Sequence, residues 1–266
     1  MKIAHISDVH IRNYRYHNEY KAVFEQLYEK LRELKPDLIV NTGDTAHTKL
    51  QLSPSYFQMT ANFFESLADI APLHVILGNH DLNLRNTGKV DAITPIVDAL
   101  DHPDIHFHKF SKEVEVGNDF VLNVMSIVDE DKWIIPTDKD KVNIALFHGS
   151  VAGVTTDTGW VMEHGDIDIK NFKGFDYVLL GDIHKTNQKL DDAGRVRYPG
   201  SLVQQNFGET PDKGFLLWNI KDKKDFTCEH FQIESPIPFI TVELTAKGRI
   251  PKNTDITLGA RIRLVS

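Results

Sequence analysis

Cysteine is nearly missing from this chain of 266 residues, with Cys228 standing alone. A single thiol cannot form a disulfide framework or a thiolate zinc site, and it fits a reducing compartment. No apolar run approaches the roughly 20 residues that a membrane helix needs. His5 and Asp8 interrupt the N-terminus too early for a signal peptide, so the expected setting is the cytoplasm. Positive charge is not in excess either: 30 Lys and Arg against 38 Asp and Glu give a net charge of −8. That balance argues against a polycationic coat for DNA, but not against an enzyme whose positive charge comes with bound metal. Internal repeats and low-complexity tracts are also absent. What remains is 41% hydrophobic and 26% charged, the composition of a globular chain with one large domain or a core and a smaller partner.

The hydrophobic pattern alternates between two periods. Lys2–Ser7 reads as a buried strand, and Tyr20, Val23, Phe24, Leu27, Tyr28, Leu31 and Leu34 then form a helical stripe that Pro36 stops. Leu38–Val40 is a short strand. Ser53-Pro54 caps a helix over Ser53–Asp69 with an aromatic face, and Leu73–Leu77 is the next strand. This strand–helix–strand–helix–strand rhythm predicts an α/β fold with a largely parallel sheet. After a shorter helix around Asp91–Leu100, strands are expected at Ile105–His108, Glu113–Val116, Phe120–Met125, Val142–Phe147 and Tyr177–Leu180. Further strands are expected at Val196–Tyr198, Gly214–Ile220, Phe226–Ile233, Ile240–Leu244 and Arg261–Ser266. A boundary near Gly208–Pro211 divides a core, residues 1–208, from a smaller unit, residues 209–266, that looks incomplete.

Five short polar sites share one address, the C-terminal end of a strand. They are Asp8-Val9-His10, Gly43-Asp44, Gly78-Asn79-His80-Asp81, Phe147-His148-Gly149 and Gly181-Asp182-Ile183-His184. In open α/β sheets ligands bind beyond the carboxyl ends of the strands, so five distant segments can supply one pocket. A lone Asp-x-His is more often a turn than a ligand pair, and Gly-Asn-His-Asp is itself a plausible turn. The coincidence of all five sites at strand ends, all with compatible donors, outweighs that reading. Asp8, His10, Asp44, Asn79, His148, Asp182 and His184 offer carboxylate, imidazole and amide donors without sulfur, which suits manganese, iron, zinc or magnesium. Seven donors exceed the needs of one ion and are consistent with two ions sharing a carboxylate, an arrangement for in-line displacement at phosphorus. Of the 13 histidines, His5, His17, His74, His102, His106, His108, His164 and His230 are read as structural or surface residues.

The motif order Asp-x-His, Gly-Asp, Gly-Asn-His-Asp, His and Gly-x-x-His resembles that of the calcineurin-like metallophosphoesterases. Within them the chain is similar to the SbcD-type nuclease subunits of the SbcCD DNA-repair complex, including phage recombination nucleases of that kind. Gly43-Asp44-Thr45-Ala46-His47 and the passage Ser201–Glu209 followed by Lys213-Gly214-Phe215 carry the narrower likeness. The resemblance implies a four-layer α/β/β/α sandwich with a small C-terminal α+β capping domain, and a manganese-dependent (or magnesium-dependent) DNA exonuclease that also works as an endonuclease. It implies that Asp8, His10 and His184 bind one metal, that Asp44 bridges, and that Asn79, His148 and Asp182 bind the other. His80 then protonates the leaving oxygen or stabilises the transition state and His47 orients the substrate phosphate, jobs suited to imidazole. Asp81 is expected to orient its neighbours. The implied partners are DNA, an SbcC-type SMC-like ATPase and a second copy of the chain, in a bacterial or phage-infected cytoplasm.

One position departs from the pattern: the family has Gly-His-x-His where this chain has Gly181-Asp182-Ile183-His184. Three carboxylates and a hydroxide balance two divalent ions, whereas a histidine at 182 leaves one positive charge. Asp182 is therefore expected to hold the second metal more tightly while weakening its Lewis acidity; the alternative is that it points away. Arg12, Tyr14, Arg15, Tyr16, Arg85, Asn86 and Lys89 follow the first and third motifs and mix cations with aromatics, as backbone-tracking grooves do, although a solvated basic loop reads the same way. The rival functions are a small-molecule phosphodiesterase or phosphatase on the same core, and a non-catalytic scaffold for the ATPase. Against a Ser/Thr phosphatase, Thr45-Ala46-His47 stands where Asp-Arg-Gly would be expected.

Overall fold

The computed structural model of the chain describes residues 1–49 and 52–266. Its first six-stranded sheet contains β1 (Lys2–Ile6), β2 (Leu38–Asn41), β3 (Leu73–Ile76), β4 (Ile105–His108), β11 (Gly214–Ile220) and β12 (Phe226–Gln232), in the order β12-β11-β1-β2-β3-β4. β1 to β4 are parallel, whereas β11 runs antiparallel to β1 and β12 antiparallel to β11. The second sheet is ordered β5-β6-β7-β8-β10-β9, from β5 (Lys112–Val116), β6 (Phe120–Met125), β7 (Val142–His148), β8 (Tyr177–Gly181), β9 (Gln188–Lys189) and β10 (Val196–Tyr198). Its inner strands β6, β7, β8 and β10 are parallel.

The period-2 alternation of each strand builds the layers. Ala4 and Ile6 of β1 join Ile39, Leu73 and Val75 in a core against α1 (His17–Leu34) and α2 (Pro54–Ala68), where Phe24 and Phe63 stack at 4.2 Å. Ile3, Leu38, Val40 and Ile76, on the opposite face, meet Leu122, Val124, Ile144, Leu146 and Leu179 of the second sheet, with Trp218 fully buried between them. The outward face of the second sheet, Ala145, Phe147, Val178 and Leu180, is covered by Val151, Val154, Phe172 and Ile183. The fold is the expected sandwich. Its outermost layer over the second sheet is made by the segment 149–175 with one 3-10 turn, Ile169–Phe172, because the Gly- and Asp-rich stretch there has no helical period.

Local chemistry sets the helix ends. Ser53 Oγ accepts the Tyr56 N–H at 3.2 Å ahead of Pro54 at the first helical position, as expected. α3 (Thr94–Leu100) starts later than the sequence pattern suggests because the Asp91 carboxylate takes the N–H groups of Ile93 and Thr94, which makes residues 91–93 a cap rather than a turn of helix. The break expected at 208/209 lies in the connection from β10 to β11, and residues beyond it return to the first sheet, where β11 pairs onto β1 and β12 onto β11. Beyond them, β13 (Phe239–Glu243) and β14 (Arg261–Val265) form a separate parallel pair with no helix among the described residues.

Candidate metal centre

β1, β2 and β3 end side by side, and the loops that follow are laced to one another. His10 and Ile11 donate their N–H groups to the carbonyls of Asp44 and Thr45 at 2.9 and 2.8 Å. The Asp81 carboxylate accepts the N–H groups of Ala46 and Gly78 at 2.8 and 2.9 Å, tying the second loop to the third. The Asp8 carboxylate accepts the Asp182 N–H, which brings the end of β8 to the end of β1. Two glycines permit this closeness. A Cβ on Gly78 would lie 2.2 Å from Asp44 Oδ1, and one on Gly181 would lie 2.3 Å from the Thr42 carbonyl oxygen.

The side chains gather into three overlapping groups. Asp8, His10 and His184 bring one donor atom each within 4.8 Å of one another, and so do Asp8, Asp44 and His148, and His10, Asp44 and His80. His10 Nε2 faces His184 Nε2 at 3.0 Å and Asp44 Oδ2 at 3.6 Å. That nitrogen spacing matches two cis donors at about 2.1 Å from one ion. Asp8 falls in two of the groups, so both it and Asp44 stand between the clusters. Asp182 lies on the His148 side, with its Oδ1 3.8 Å from His148 Nε2 and 3.2 Å from Asn79 Nδ2.

Histidine orientation is fixed from behind. His148 Nδ1 donates to the Thr42 carbonyl at 2.7 Å, which turns Nε2 inward toward the carboxylates. That Nε2 is buried without any hydrogen-bond partner and faces Asp44 Oδ1 at 3.4 Å. His184 Nδ1 meets Glu209 Oε1 at 2.8 Å. Among the described residues no lysine or arginine forms an ion pair with Asp8, Asp44 or Asp182. Buried carboxylates without such a counterion are costly, and a divalent cation removes that cost.

The electrostatics point to the same cost. Burial raises the Asp8 carboxyl above its usual range, and it pushes Asp182 up to about 6 and Asp81 up to about 7, with Asp44 adding repulsion in both. Burial opposes charge on Asp44 as well, but His148 and His10 outweigh it and hold that carboxyl low. Burial likewise opposes the proton on His148, where the Asp44 carboxylate prevails and raises it well above an ordinary imidazole. Carboxylate charge gathered in one pocket thus draws positive charge to it, whether from a proton or from a metal ion.

A cleft of about 230 Å³ over the cluster is lined by His10, Arg12, Asp44, His47, His80 and Asp182, among others. His80 is exposed there, with its N–H donated to Asp44 Oδ1 at 2.7 Å and its Nδ1 2.9 Å from the His47 carbonyl oxygen. The His47 and His80 rings lie 5.7 and 4.8 Å from His10. Burial and the Arg12 guanidinium keep His47 below the ordinary imidazole value. Arg12 donates to the Gln205 carbonyl and stacks on Tyr16 at 5.2 Å, while Arg15 bonds the Tyr16 hydroxyl, so this basic segment is a braced wall of the cleft. Tyr14, Arg85, Asn86 and Lys89 are exposed. Sequence reading gives no role to Thr42, Glu209 or Lys213; only Glu209 and Lys213 lie in motifs that it singles out.

A mimivirus protein, "Uncharacterized protein R555" of Acanthamoeba polyphaga mimivirus, is 35% identical over 99% of the chain, which spans only 20% of that protein's length. "Putative phosphoesterase 244L" of Invertebrate iridescent virus 6 is 27% identical over 83% of the chain and 77% of its own length. A subunit of the SbcCD nuclease of Staphylococcus epidermidis is 25% identical over 84% of the chain and 67% of its own length. The profile of a family whose members bind divalent metals, described as "Calcineurin-like phosphoesterase", matches residues 1–186, and the chain belongs to that family.

Proposed function

We propose that the chain is a manganese-dependent (or magnesium-dependent) phosphodiesterase that cuts DNA as an exonuclease and endonuclease. The observation that carries the reading is the buried, unpartnered Nε2 of His148, aimed at Asp44 beside a second Asp and His cluster. Asp8, His10 and His184 would hold one ion, Asp44 would join the two, and Asn79, His148 and Asp182 would hold the other. Bound divalent ions polarise a phosphoryl oxygen and make a nucleophile available at neutral pH.

His80 and His47 face the cleft where a phosphodiester would lie. The His47 carbonyl holds the proton on His80 Nδ1, so the proton that His80 gives to a leaving oxygen comes from Nε2. His47 orients the phosphate, and Asp81 braces the loops that present Asp44 and Asn79. Arg12, Tyr14, Arg15, Arg85 and Lys89 would track the DNA backbone. The likeness to an SbcCD subunit supports a place in DNA break processing and recombination in the cytoplasm, beside an SbcC-type ATPase, with a second copy of the chain. The strand pair at the C-terminus would then belong to a unit that caps the DNA.

The test is hydrolysis of linear single- and double-stranded DNA with Mn²⁺, run beside cyclic nucleotides and phosphopeptides. Nucleotide release from DNA is expected, with a loss of about 100-fold or more in kcat for His80→Ala while Mn²⁺ still binds. Turnover of cyclic nucleotides or phosphopeptides without DNA cleavage would replace the nuclease reading with the small-molecule or phosphatase one.

A further inference from the structure

Glu209 closes the passage that leads out of the β10 region, and its carboxylate turns back onto the cluster. Oε1 lies 2.8 Å from His184 Nδ1, and the other nitrogen of the same ring stands 3.0 Å from His10 Nε2 and 3.8 Å from Asp8 Oδ1. The carboxylate is held on every side. Oε2 accepts the Gln205 N–H at 2.8 Å, and Oε1 also accepts from Asn206 Nδ2 at 2.9 Å. Lys213 Nζ, 3.7 Å from Oε2, is pinned by Asp157 Oδ2 and the His184 carbonyl oxygen, both at 2.7 Å. Burying an ionised carboxylate and an ammonium here is justified by what they position, since a neutral amide could satisfy the same backbone groups.

The histidines of the fourth and fifth motifs are therefore backed differently. His148 leans on a neutral carbonyl, that of Thr42, and His184 on a carboxylate. A carboxylate behind an imidazole fixes the ring and makes its free nitrogen a stronger donor.

We propose that Glu209 is a positioning residue for the cation held by Asp8, His10 and His184, tightening its binding on that side of the centre. The proposal rests on the reading of the cluster as a two-cation centre. Glu209 aims His184 Nε2 at His10 and Asp8 and strengthens it as a donor, while leaving the His148 side untouched.

Calorimetric titration of the whole chain with Mn²⁺ tests it, with Glu209→Gln as the isosteric variant and Asp157→Asn as a control that loosens Lys213 without touching His184 Nδ1. Glu209→Gln should weaken one of two Mn²⁺ sites about 10–100-fold and leave the other within about twofold. In crystals soaked in manganese, anomalous density beside His184 should fall while that beside His148 stays. Asp157→Asn should lower the metal-free Tm and leave both affinities in place. Unchanged binding in Glu209→Gln overturns the proposal. So does a loss of affinity shared by both variants in proportion to their metal-free Tm, which would make Glu209 a structural brace. Failure of the wild-type chain to bind Mn²⁺ at all is a different result: it removes the cation centre itself.

Discussion

Asp8, His10, Asp44 and Asp182 all hold positive φ, a conformation that costs a residue with a side chain about 1–3 kcal/mol. Only three other non-glycine residues share it among the described residues, Lys35, Asp101 and Asn187. Strain gathered on four acids and histidines around one pocket marks where the chain gives up stability for position. Gly78 sits against this group, and Gly78→Ala would push a methyl group into Asp44 Oδ1 and into His148 Cε1 at 2.7 Å. The expected result is loss of Mn²⁺ binding together with about 1–3 kcal/mol of stability, read by titration and thermal melting. Asp182→His tests the departure from the family pattern. With its carboxylate beside His148 and Asn79, its replacement should weaken Mn²⁺ binding at that site; an unchanged isotherm means that the Asp182 side chain does not reach the ion.

At the scale of strands, β3 and β4 bring a histidine pair into the layer between the sheets. His74 Nδ1 and His108 Nε2 are 2.9 Å apart and both rings are buried. Burial lowers His74 to about 4 and His108 to about 2, with His106 and Lys112 adding repulsion against a proton in both and His74 adding it in His108. A histidine held neutral in the fold contributes fully above the unfolded value of about 6.5, and stability is lost as pH falls below it, because the unfolded chain takes up the proton first. His108→Gln removes that penalty. Relative to wild type, this variant should gain about 2 kcal/mol between pH 8 and pH 5, measured by denaturant unfolding at both values. A constant difference would show that His108 is protonated in the fold.

Strand ends and their donors were legible because alternation locates a strand locally and the residue after it is named by the sequence. Ser53, Pro54 and the α1 stripe were legible for the same reason. The return of β11 to β1 was not, since Lys2 pairs with Asn219 and nothing in either segment's period names its partner. Nor was the task of Glu209, which depends on a ring 25 residues away turning its Nδ1 outward. The segment over the second sheet carries no period to read.

Across the whole molecule, the C-terminal strand pair is attached by a few polar and aromatic contacts. Arg261 bonds Glu19 of α1 and lies over the Tyr16 and Phe239 rings at 5.1 and 4.8 Å. Gln204 exchanges hydrogen bonds with the Phe239 backbone at 3.0 and 2.8 Å. Arg261→Ala should open residues 233–266 to limited proteolysis while the Tm of the two-sheet core shifts by only a few degrees. Equal resistance in variant and wild type would show that Arg261 is not what holds the pair.

The place of β11 beside β1 has a consequence for how the chain is made. β1 delivers Asp8 and His10, yet its outer edge gains a neighbour only when residues 214–220 arrive, and even the terminal amino group closes onto the Ile220 carbonyl. On the ribosome β1 therefore emerges well before the strand that covers its outer edge, and that edge stays bare in the interval. An edge left open over so long a stretch of sequence is a template for wrong pairing, which makes folding of this sheet depend on how late β11 reaches β1.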